Sequence, residues 1–151
     1  MEALVTLLTR EKLLMELLVF KLVSMRQLLL TGETRFLPWA SEEVDRATTA
    51  VRDAELERAI LTNGLAAERG LDEPALSELI ADAPDPWRGL LETLHEEMRG
   101  SAREVQDLLH STRRLAEVGA RSLAEAMGQS PAGPAYGDLG SAPARRYEQV
   151  L

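Results

Sequence analysis

From Asp85-Pro86-Trp87 to Met127-Gly128 the chain carries one uninterrupted helical pattern, and a helix of that length must lay its apolar side on something. Asp85 reads as the N-cap and Pro86 as the first helical residue, where a missing N–H costs nothing. Gly128 suits a left-handed C-terminal cap, and Pro131 blocks continuation. Between these marks Trp87, Leu91, Leu94, Met98, Ala102, Val105, Leu109, Thr112, Ala116, Gly119, Leu123 and Ala126 recur in steps of three or four residues. A mean step of about 3.5 is the period of a coiled-coil or bundle seam, here on a helix of about 60 Å.

The earlier segments supply shorter partners. Glu2 to Thr31 reads as a helix with Leu4, Leu8, Met15, Leu18, Leu22, Met25 and Leu29 in one row, which Glu11 alone interrupts. Leu7, Leu14, Leu17 and Leu28 widen that face, so this helix is expected to touch more than one neighbour. Gly32 ends it, and Phe36-Leu37-Pro38-Trp39-Ala40 reads as a connection. Ser41 then suits an N-cap for a second helix over 41–69, stopped by Gly70. Its row, Val44, Ala47, Val51, Ala54, Leu61 and Leu65, is richer in alanine and is broken by Arg58. Asp72-Glu73-Pro74 opens a short corner helix over 73–82, before the long helix over 86–127. The expected fold is all-α: an antiparallel bundle of three long helices with a corner helix, the last helix longest and coiled-coil-like. Residues 1–128 form the domain, and 129–151, rich in Gly, Pro and Ser, read as a flexible tail. The long helix should overhang its partners by about 15–20 Å at its C-terminal half.

Composition agrees with this class and excludes others. Apolar residues make up 45%, yet aromatic residues only 4%, an aliphatic balance that suits helix packing better than a β-sandwich. There is no cysteine, hence no disulfide framework or thiolate chemistry. Met1-Glu2 lacks the basic start of a signal peptide, and Glu16, Lys21 and Arg26 interrupt the apolar run from Leu13 to Leu30 too often for a membrane span. The formal charge of −8 falls mostly on residues 71–128, which argues against nucleic acid as a partner.

No catalytic constellation emerges. His95 and His110 lie fifteen residues apart on one helix, about 22 Å along its axis, and cannot share a metal within one chain. Glu92, Glu96, Glu97, Glu104 and Asp107 have Arg88, Arg99 and Arg103 three or four residues away, as in a solvated, charge-paired face. Trp39 and Trp87 both follow proline at helix starts, where a corner-packing role is expected. No enzyme activity, metal or cofactor is expected.

Several motifs resemble FlgN-type flagellar export chaperones, particularly actinobacterial ones. These are Glu68-Arg69-Gly70-Leu71, the spaced Leu76 and Leu79, Ala83-Pro84-Asp85-Pro86-Trp87, and the run from Arg113-Arg114-Leu115 through Gly119 to Met127. Tyr136-Gly137-Asp138-Leu139-Gly140 is similar to an element common after the last helix, whereas Thr112 stands where the family often has asparagine. The resemblance implies a cytoplasmic helical chaperone. Such a protein binds the C-terminal helical segments of the hook-filament junction proteins FlgK and FlgL and delivers them to the flagellar export gate. On this reading Leu108, Leu109, Leu115, Ala116, Leu123 and Met127 are the expected client-contact row, and Tyr136 a docking residue toward the export machinery. Two other classes stay open. A structural coiled-coil subunit could use the same exposed seam to join copies of the chain, and Trp87-Arg88-Gly89 spells the signature of WXG-type secreted hairpins.

Overall fold

The computed structural model describes residues 1–70 and 76–128, and among them every regular element is helical, with no strand. Helix α1 spans Glu2–Thr31, a 3-10 turn Thr34–Phe36 leads into α2 at Leu37–Arg69, α3 is Leu76–Ala81 and α4 is Trp87–Ala126. The Asp72-Glu73-Pro74 cap, the start of the expected corner helix and the tail with Tyr136 fall outside the described residues.

Gly32 stops α1 as expected, in the left-handed region at φ 72. Its N–H reaches the Leu29 carbonyl at 3.4 Å and that of Glu33 reaches Leu28 at 3.0 Å, so the last carbonyls of the helix are satisfied. Two expected starts differ. Ser41 is not the N-cap of α2: the helix begins at Leu37, with Pro38 in the first turn, where its fixed φ favours the helix and its missing N–H has no partner to lose. Nor does Asp85 cap α4. The Asp85–Pro86 peptide is cis, the helix starts at Trp87, and the Trp87 N–H bonds the Pro84 carbonyl at 2.9 Å. Arg88 Nε donates to the Ala83 carbonyl at 3.1 Å, tying this corner together.

Helix α1 packs against both α2 and α4, while the backbones of those two hardly approach one another. Three rows are buried: Leu4 to Met25 on α1, Val44 to Ala66 on α2, and Leu91 to Thr112 on α4. Each spans about 32 Å at 1.5 Å per residue, so the rows match in length. Glu11 and Arg58, which each break their own helix's pattern, prove to be partners inside this core. Arg58 Nε donates to Glu11 Oε2 at 2.9 Å, and the side chains are only 3% and 0% exposed. Nearer the surface, Arg10 pairs with Glu57 at 2.6 Å, and Lys21 pairs with Glu43. On the other side Lys12 bonds Glu97 at 2.8 Å, which sets α4 one level from Glu11–Arg58 and raises the Lys12 ammonium pKa.

The expected widening of the α1 face is only partly observed. Leu14 packs against the core and Leu7 and Leu28 are half-buried, but Leu17 is 43% exposed, on the side away from both neighbours.

Burial pushes the Glu11 carboxyl above its ordinary 4.5, against the opposing charge and hydrogen bond of Arg58, and its Oε1 has no bonding partner. Removing the cation should therefore strand a buried carboxylate. Arg58→Met is expected to cost about 3–5 kcal/mol in urea unfolding, and Glu11→Leu with Arg58→Met to recover most of that. A double variant no better than the single one would contradict this role. Because the folded pKa is raised, Glu11 adds stability that is complete below 4.5 and lost as pH rises through the folded value. Melting curves should show Glu11→Gln gaining on the wild type over that rise, and the opposite trend would contradict the assignment.

Candidate functional site: the free end of the last helix

Thr112 is the last buried residue of α4, yet the helix continues to Ala126. These fourteen further residues extend it by about 21 Å at 1.5 Å each, consistent with the overhang expected from sequence. The core row on this helix would continue through Ala116, Gly119, Ala120, Leu123 and Met127, positions that share a face by the 3.6-residue turn. Leu123 and Met127 are 62% and 60% exposed. Among the described residues a Cβ added at Gly119 would meet nothing within 4 Å, so none of the other described helices approaches it.

The six residues expected to contact a client therefore divide. Leu108 and Leu109 pack against the core and anchor the helix. Leu115 and Ala116 are half-buried where the bundle ends, and Leu123 and Met127 stand free. Tyr136 lies outside the described residues. Val118, 59% exposed, was not indicated by the seam because it lies on another side of the helix. At the junction the Thr112 hydroxyl is buried without a hydrogen bond.

No charged residue lies within the extended row. Arg113, Glu117, Arg121 and Glu125 follow one another at four-residue spacings around the other sides, and with Arg114 they give a mildly basic balance opposite to that of the preceding acidic stretch. This arrangement can receive an apolar helix face.

Among the described residues no three His, Cys, Asp or Glu side chains gather in a metal-binding group, and no helix is long and apolar enough to cross a membrane. His95 is half-buried and His110 exposed, and Glu97 of the acidic strip is committed to Lys12. Trp87 packs against the core as expected, but Trp39 is 64% exposed and meets only Phe36 ring to ring, at 5.8 Å between centroids. An open groove of about 570 Å³ between α1 and α2 is lined by Glu2, Ala3, Thr6, Leu7, Arg10 and Leu61, with Arg10 already paired to Glu57. Comparison with protein-family models, with curated proteins and with solved structures gives no match.

The two halves of the row should separate in stability measurements. Leu123→Glu and Met127→Glu are expected to change the unfolding free energy by no more than about 0.5 kcal/mol. Leu109→Glu, which forces a charge against the core, should cost about 2 kcal/mol or more. Similar losses at all three positions would mean that the end of α4 is packed in solution.

Proposed function

We propose that this protein is a FlgN-type export chaperone whose working surface is the free end of α4. In this reading the molecule is an up-down-up bundle of three long helices, cytoplasmic, and not an enzyme. Its clients are hook-filament junction proteins of the FlgK and FlgL class, bound by their C-terminal helical segments and handed to the export gate, with Tyr136 as the contact for that machinery. The observation that carries the reading is the seam that outlasts its partners, with burial ending at Thr112 while Leu123 and Met127 remain exposed in line with it.

The physical mechanism is helix capture. A client helix laid along Ala116, Gly119, Ala120 and Leu123 extends the bundle by a further helical turn or more, and small residues allow its backbone to come close. Covering the client's apolar face removes the surface through which it would self-associate. The seam contributes apolar contact alone, and the arginines beside it favour clients with acidic flanks.

Titration of the full chain with a peptide from the C-terminus of a FlgK- or FlgL-class protein tests this directly. Leu115→Glu with Leu123→Glu should weaken binding by about thirtyfold or more, with the helical circular dichroism largely intact. Binding that survives both substitutions would remove the proposed site, and absence of any binding by the wild type would remove the proposed function.

A further inference from the structure

Helix α1 carries apolar surface on its outer side as well as toward the core. Leu13, Leu17 and Phe20 recur at steps of four and three residues and are 58%, 43% and 60% exposed. They lie opposite the buried Leu4–Met25 row, so neither α2 nor α4 covers them. The same stripe continues in both directions through small hydroxyl residues that are already bonded to their own helix. Thr6 Oγ1 donates to the Glu2 carbonyl at 3.1 Å, Thr9 Oγ1 to Val5 at 2.7 Å, and Ser24 Oγ to Phe20 at 2.8 Å. Covering them would strand no hydroxyl donor, so the stripe can lose water at low cost over nearly the full helix.

We infer that this face pairs with the same face of a second copy, α1 against α1, antiparallel about a two-fold axis between Glu16 and Leu17. Three observations select a second copy as the occupant. First, the stripe reads almost alike from either end of that axis: Leu13 meets Phe20, Thr9 meets Ser24, and Thr6 meets Gln27. Second, the chain has a formal charge of −8, whereas α1 holds three acidic and four basic residues, so two copies repel one another least here. Third, the flanking charges Arg10 and Lys21 are already matched by Glu57 and Glu43 of α2, which leaves the α2-side edge of the stripe neutral. A stable dimer buries roughly 800 Å² on each partner, more than three apolar side chains supply, so the hydroxyl ends must be included and the affinity is modest.

The arrangement has one unfavourable meeting, and it gives the test its specificity. Glu16 lies at the edge of the stripe beside the axis, so the two copies of Glu16 approach each other, each offset only by Lys12 at 3.7 Å. Sedimentation of the full chain over a concentration series should show reversible dimers, with Phe20→Glu monomeric and its circular dichroism unchanged. At low salt Glu16→Gln should tighten the dimer about fivefold. A wild type that stays monomeric, a dimer that survives Phe20→Glu, or a Glu16→Gln variant that does not tighten would each overturn the proposal. So would a dimer lost through Leu123→Glu, since that places the contact on α4. Client binding is not part of this test, and Phe20→Glu should leave it intact.

Discussion

Taking a carboxylate and a guanidinium out of water costs several kcal/mol for each ion, and only mutual contact at hydrogen-bond distance offsets it. Glu11 and Arg58 meet that condition in one alignment of α1 with α2, the one in which the two residues face each other inside the core. A slip of either helix by one turn would place a buried charge against an apolar residue. Aliphatic rows of leucine and alanine tolerate such slips far better, because their neighbours on the next turn are also aliphatic. The pair thus fixes which residues of the two helices are level. Lys12–Glu97, one residue along, extends the same register to α4.

That register determines where the core ends. The buried rows of α1 and α2 close at Met25 and Val44, beside the turn that joins them, and the buried row of α4 closes at Thr112. Helix α4 is longer than this level requires, so its remaining turns leave the bundle with their apolar row intact. The exposed seam is a consequence of helix lengths set against a fixed register. Similar logic applies to α1, the central helix, whose apolar content exceeds what two neighbours cover.

Much of this was legible in the sequence, and the failures have physical reasons. The ends of α1 and α4 followed from glycine grammar and periodicity, and the place where α4 outruns its partners followed from comparing lengths. The start of α2 was misread because Pro38 and Ser41 both carry start signals. Proline prevailed, since a first-turn position suits its fixed φ, and Ser41 then lies inside the helix that Pro38 has already opened. Glu11 and Arg58 each looked like a flaw in a row; their complementarity exists only across two helices and cannot be seen along either. Leu17 was placed with the core-facing leucines because a run as rich in leucine as Leu13–Leu18 has no clear polar side. Within the client-contact row, periodicity runs on without a break, so the division between the anchored Leu108 and Leu109 and the free Leu123 and Met127 falls where burial ends at Thr112.

Helix α4 is one helix in two physical regimes, packed up to Thr112 and open beyond it, and on the proposed function the open part receives a client helix. Amide hydrogen exchange along α4, with and without a junction-protein peptide, measures this most directly. Protection near the global unfolding free energy is expected between Leu91 and Thr112, weak protection from Arg113 to Ala126 in the free protein, and a gain confined to the latter segment when peptide is added. Uniform protection to Ala126 without peptide, or a peptide-induced gain on α1 instead, would contradict it.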